Sequence, residues 1–248
     1  ISGSSTGSGG TTKQPREWPA PQMLDRAEMD VVRDAFVAAA ERSDRLGIDL
    51  IELHMAHGYL LHSFLSPISN QRNDEYGGGI DNRMRFPIEV FEAVRAVWPD
   101  DKPLGVRISA SDWVDDGWSI EDSVVFAAEM KKRGCDFLCA SSGGVSSQQK
   151  LTLGPGYQVP FAEQIRRETG ITTMAVGMIL EPDYAESLVV DGRADMVALA
   201  RGLLYNPRWA WHAAEALGVG DVPSYPIQYD RSRPSMWPQA FQTKAAAE

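Results

Sequence analysis

At 248 residues, 43% hydrophobic and 23% charged, the chain can bury one substantial core and suggests one domain rather than two. No apolar run approaches the roughly 18 residues of a membrane span, and no basic-then-apolar signal segment opens it. The formal net charge of −10, with Lys and Arg scattered rather than striped, argues against a nucleic-acid surface and for an acidic protein with small-molecule chemistry.

Residues 1–12 (ISGSSTGSGGTT) are almost free of apolar side chains, the composition of a flexible loop or tail. A Pro-rich extended connector continues to residue 23. Asp25 followed by Glu28 predicts an N-cap and an acidic first turn. A helical period then runs through Val31, Val32, Phe36, Ala39 and Ala40 to a C-cap at Gly47. IDLIEL predicts the first strand, ending at Glu52 or His54. The polar, Gly-rich NQRNDEYGGG is expected to be a structural loop, with Asp81 or Asn82 near the N-cap of a helix over 81–98. The alternation then becomes regular: strands over 103–109, 136–142, 172–177 and 195–200, and helices over 119–133, 159–168, 181–190 and about 207–216. Cys135 and Cys139, four apart in the third strand region, are too far separated to bond each other. They suit buried free thiols in a reducing compartment, so the expected location is the cytoplasm.

Short apolar strands alternating with amphipathic helices predict an α/β fold with a parallel sheet. An open doubly wound sheet satisfies the same pattern, but no GxGxxG follows the first strand, so a nicotinamide-binding Rossmann unit is unsupported. A barrel explains why His54, His57, Arg107, Ser141, Ser142, Gly177 and Arg201 all fall near carboxyl ends of strands, where barrel active sites are built. The expected partition is a loop or tail over 1–23, barrel over 24–218 and a C-terminal tail over 219–248.

H-x-x-H-x-Y at 54–59 offers two imidazoles that can donate to one carbonyl or nitro oxygen, and a phenol, Tyr59, placed to protonate the neighbouring carbon. The bland reading is a pair of satisfied buried histidines, and a metal site would need a further acidic or His ligand. Arg107 suits an electron-rich partner such as a flavin N1–C2=O edge, or an internal salt bridge. Gly177 and Arg201, after consecutive strands, suit a phosphate, the glycine by close backbone approach. The SSGG segment at 141–144 either contacts a ligand or makes a tight turn.

Together, IELHMAHGYLLHSFLSPISNQRNDEYGG, DNRMRFPIEVFEAVR, VRISASDW, SSGG, GYQVPFAEQIR, AVGMI and GRADMVALARGLLYNP resemble the Old Yellow Enzyme family of FMN-dependent ene-reductases. The His/His pair is similar to its thermophilic-like bacterial branch. The resemblance implies a (β/α)8 TIM barrel of which this chain supplies about strands 4–8, with FMN as cofactor and NADPH or NADH as reductant. His54 and His57 would bind the oxygen of an enal, enone, maleimide or nitroalkene, with Tyr59 as proton donor. Arg107 would contact the isoalloxazine edge. Gly177 and Arg201 would hold the FMN phosphate, with Ser142, Gly143, Met178 and Ala200 among the cofactor contacts; Ala200 stands where the family often has Gly. Arg231, in PIQYDR, would reach a neighbouring subunit's active site, implying a homo-oligomer. The family's first three strands have no counterpart here, so a second polypeptide supplying them, or assembly of a truncated form, is expected. Two other readings stay open: a scaffold fragment without flavin, and a phosphate-binding barrel lyase or isomerase using the His pair with a metal.

Overall fold

Asp25 starts the first helix as its sequence predicts. Its carboxylate accepts the Glu28 N–H at 2.9 Å, and the Glu28 carboxylate accepts the Asp25 N–H at 2.9 Å, so two donors of the first turn are satisfied reciprocally. Helix α1 (Arg26–Arg45) ends at Leu46, and Gly47 takes the left-handed conformation beyond it at φ +74°. The computed structural model describes residues 22–219, 226–233, 236–237 and 239. The expected tail over 1–23 lies outside them except for its last two residues, as does most of 219–248.

Five strands follow: β1 (Ile51–Met55), β2 (Leu104–Ser109), β3 (Phe137–Ser141), β4 (Thr172–Val176) and β5 (Met196–Ala198). They pair in parallel in the order β1-β2-β3-β4-β5, each crossover carrying a helix over one face. These helices are α3 (Ile80–Arg95), α4 (Ile120–Lys132), α5 (Val159–Thr169) and α6 (Pro182–Val190). Sequential order with no reversal is barrel order, not that of a doubly wound sheet. Among the described residues β1 and β5 are each paired on one side only. No helix among the described residues is long and apolar enough to cross a membrane.

Alternation along the strands separates two faces. Leu53, Met55, Leu104, Val106, Ile108, Leu138, Ala140 and Ala175 join Phe86, Phe91, Phe126 and Ile165 in the core beneath the helices. The opposite face carries Glu52 and His54, Gly105, Arg107 and Ser109, Phe137, Cys139 and Ser141. Register aligns His54 with Arg107, Arg107 with Cys139, and Ser109 with Ser141. Gly105 is obligatory there, because a Cβ would enter the Phe137 ring. At the amino edge, Asp136 accepts the Leu104 N–H at 2.8 Å and Asp195 the Thr173 N–H at 2.9 Å. One aspartate before a strand thus ties down the strand beside it.

Three expectations are corrected. A short helix, α2 (Leu60–Leu65), follows the histidine motif, where the sequence predicts only loop. Another, α7 (Arg201–Tyr205), precedes α8 (Trp209–Ala216). The helix expected over 81–98 runs over Ile80–Arg95, with Gly79 as N-cap and Asp81 in its first turn. The segment over 70–79 is structural, as read. Asn70 Nδ2 donates to Phe64 O and Tyr76 O at 2.6 and 2.7 Å, and Arg72 grips Asp74 and the Leu24 carbonyl. Cys135 and Cys139 are buried free thiols, each pushed up to about 12 by burial.

Candidate active site

The backbone turns sharply after β1. His57 has φ +62° and Gly58 φ +73°, and a left-handed conformation at a non-glycine is costly unless its surroundings impose it. Three contacts do so. The His57 N–H donates to Ser109 Oγ at 2.9 Å, and the Gly58 N–H donates to His62 Nδ1 at 2.7 Å. Gly144 packs so closely that a Cβ there would lie 2.6–2.8 Å from the His57 backbone. The corner gathers three rings, with centroid distances of 5.2 Å for His54–His57 and 5.3 Å for His54–Tyr59. His54 and Tyr59 are exposed on the face opposite the helices, and His57 is half-buried.

Burial, with Arg107 and the other histidines adding to it, pulls His57 down to about 4; burial and then Arg107 lower His54. Both imidazoles are therefore neutral at pH 7. An NMR titration is expected to find His57 still neutral at pH 5, where an unperturbed histidine, with a pKa of about 6.5, is mostly charged. Since the unfolded chain takes this proton first, the group lowers stability as the pH falls from about 6.5 towards 4. A His57 titration near 6.5 would contradict the buried corner.

Arg107 sits within β2, beside His54 in register, not at the strand's last residue. It is half-buried, its Nε is buried without a hydrogen bond, and no ion pair joins it to another described residue. The internal salt bridge allowed by the sequence is thus not formed among the described residues. Glu52 lies within electrostatic reach of Arg107, but a buried donor without an acceptor is costly, which leaves the Nε suited to a ligand's electron-rich edge. Tyr157, which the sequence reading did not single out, lies within electrostatic reach of both Arg201 and Arg107.

The SSGG segment leaves β3 with Gly143 (φ +69°) and Gly144 (φ +96°) left-handed and is tied to its neighbours. Ser109 donates to Gly143 O at 2.8 Å, and the Gly143 N–H donates to Ser111 O at 2.8 Å. Ser142 donates to Gln158 Oε1 at 2.6 Å, while Gln158 Nε2 donates to Val176 O at 3.0 Å. The Ser142 hydroxyl and the Gly143 N–H are thus both taken up within the protein. Ser141 Oγ lies 2.6 Å from His57 Nε2. At the end of β4, Gly177 (φ +128°) and Met178 (φ +53°) are both left-handed. Ala200 caps α7, Arg201 is its exposed first residue, and Arg231 is exposed in a 3-10 helix, Ile227–Ser232. No hydrogen bond joins the Arg231 side chain to the other residues named here among the described residues. No group of three His, Cys, Asp or Glu among the described residues could hold a metal ion.

Ser109, Gln158, His62 and Asp112 complete the site's framework and were not picked out by sequence. His62 and Asp112 are fully buried with Nε2 and Oδ1 3.0 Å apart, out of line for a strong hydrogen bond. The only sequence signal for His62 is that it shares one short segment with His54 and His57.

Residues 5–218 match the family described as NADH:flavin oxidoreductase / NADH oxidase. The chain belongs to that family. An NADPH dehydrogenase of Geobacillus thermodenitrificans is 49% identical over 213 residues, covering 86% of this chain and 61% of that protein. This member of the NADH:flavin oxidoreductase family therefore spans about three fifths of the curated relatives it matches. Among solved structures, morphinone reductase superposes with a TM-score of 0.65 at 27% identity, covering 81% of this chain and 52% of that one. Histamine dehydrogenase from Rhizobium sp. 4-9 gives 0.69 at 29% identity, covering 79% and 29%. The described sheet is accordingly a five-stranded part of the flavoenzyme barrel.

Proposed function

We propose that this chain forms the substrate-activating wall of an FMN-dependent ene-reductase that uses NADPH or NADH as reductant. The observation carrying the proposal is the His54–His57–Tyr59 ring cluster beside Arg107, whose buried Nε has no hydrogen-bond acceptor. The residues fit a flavin mononucleotide. Arg107 Nε offers a buried donor with no acceptor, and Gly177 with Met178 turns the backbone left-handed after β4. Arg201 brings a cation to the end of the next strand.

In this reading Arg107 holds the electron-rich edge of the ring system, and Gly177 and Arg201 hold the phosphate. When bound, FMN supplies the hydride for the alkene's β-carbon. His54 and His57, kept neutral, donate hydrogen bonds to the oxygen of the enal, enone, maleimide or nitroalkene. Drawing charge to that oxygen makes the β-carbon electrophilic, and each such donor supplies roughly 3–4 kcal/mol in comparable sites. The Tyr59 hydroxyl delivers a proton to the α-carbon. We further propose that additional strands close the barrel against the edges of β1 and β5, since paired edges are required for closure, and that Arg231 reaches a neighbouring subunit's site.

An absorption spectrum of the assembled protein tests the reading. It should show bound flavin and a charge-transfer band on adding a phenol. Assembled protein that stays colourless after incubation with FMN would instead favour a scaffold. Arg107→Ala should weaken FMN binding by roughly 10- to 100-fold, the scale of one hydrogen bond from a charged group, as measured by fluorescence titration. An unchanged affinity would remove Arg107 from the cofactor site.

A further inference from the structure

We propose that Ser141 is a positioning residue that sets the tautomer of His57: its hydroxyl donates to Nε2, so the ring's one proton sits on Nδ1 and faces the substrate oxygen. The last clause rests on the ene-reductase reading; the tautomer itself does not.

A neutral imidazole has one N–H and one lone pair, and the partner of one nitrogen decides which end carries the proton. His57 Nε2 and Ser141 Oγ are 2.6 Å apart, so one of them donates to the other. The surrounding bonds decide which. Gln158 Nε2 lies 3.0 Å from Val176 O, which can only accept, so the amide NH2 points there and Oε1 faces the serines. Oε1 already accepts the Ser142 hydroxyl at 2.6 Å. If Nε2–H donated to Ser141, the Ser141 hydrogen would turn to the second lone pair of that oxygen, 3.4 Å away, at the outer limit of a useful bond. If Ser141 donates to Nε2 instead, its hydrogen makes a short bond. Ser109 cannot substitute, because it accepts the His57 backbone N–H and donates to Gly143 O. Ser141 is 3% exposed, which leaves little room for water to compete.

Nδ1 then carries the proton and makes no hydrogen bond to another described residue. The opposite tautomer would present a lone pair to an oxygen that gains negative charge, turning an activating contact into a repulsive one. The control reaches from β1 through β3 to the start of α5 and the end of β4, so His57 is set by residues distant in sequence.

The test is 15N NMR of histidine-labelled 248-residue chain without flavin or substrate, with the His57 signals assigned by difference from His57→Gln. The expected spectrum shows a protonated, pyrrole-type Nδ1 and a pyridine-type Nε2. Ser141→Ala should shift the ring towards the Nε2–H form, and Ser141→Thr, which keeps the hydroxyl, should restore the original pattern. A parent spectrum with the proton on Nε2 overturns the proposal even if Ser141→Ala does not fold. So does a folded Ser141→Ala protein whose His57 tautomer is unchanged. Because no cofactor is present, these outcomes are independent of whether the assembled protein binds FMN.

Discussion

Under the proposed ene-reductase function, Tyr59→Phe is expected to lower the turnover number for alkene reduction by roughly 10²–10⁴-fold, the usual contribution of a positioned general acid. Phenol affinity and the rate of flavin reduction by NADPH should stay near those of the parent. The substitution removes one hydroxyl from a side chain that is 58% exposed and leaves the ring tilted against His54 at 5.3 Å. The corner should survive, because its backbone is held by other groups: the Tyr59 N–H on Ala56 O at 3.1 Å and the Gly58 N–H on His62. A loss confined to turnover, with KM nearly unchanged, would mark an interaction made in the transition state. Stopped-flow measurement of the two half-reactions separates these effects. A variant within about threefold of the parent in alkene reduction would assign the proton to another donor or to water.

The division between what the sequence shows and what it hides follows contact range. Helix α1 was legible because its determinants are local, Asp25 and Glu28 capping each other and Gly47 ending the turn. The five strands were legible because each is a short apolar run next to a helical period. Helices α2 and α7 were not, since six and five residues are too few to display a period. The left-handed His57 was hidden too, because beside the local Gly58–His62 bond it is imposed by Ser109 and Gly144, fifty and more residues away. His54, His57 and Tyr59 could be grouped from sequence because they lie within six positions. Ser141 could be singled out only as a strand-end residue; its contact with His57, and that of Gln158 with Ser141, arise through strand pairing, which no spacing rule displays. Arg107 shows the middle case: its residue type pointed to an electron-rich partner, but only register placed it beside His54.

Asp112→Ala should be the most destabilising single change at the corner, costing about 2–5 kcal/mol in urea unfolding. Asp112 is fully buried, and its Oδ2 accepts the Ser66 hydroxyl at 2.6 Å and the Trp118 N–H at 2.8 Å. Alanine would leave both donors buried without an acceptor, at about 1–3 kcal/mol each. It would also remove the carboxylate 3.0 Å from His62 Nε2. His62 Nδ1 accepts the Gly58 N–H, so that nitrogen bears no proton and the ring hydrogen lies on Nε2, close to Asp112 though out of line with Oδ1. Losing the carboxylate therefore loosens His62 and, through Gly58, the left-handed step that sets His57 beside His54. Asp112→Asn keeps the volume but brings an NH2 group against at least one existing donor, so it should fall between the parent and the alanine variant. The order parent, asparagine, alanine is the expected result, with the His57 NMR signals shifting in the same order. If Asp112→Ala lost less than about 1 kcal/mol, the corner would have to be held by Ser109 and Gly144 alone.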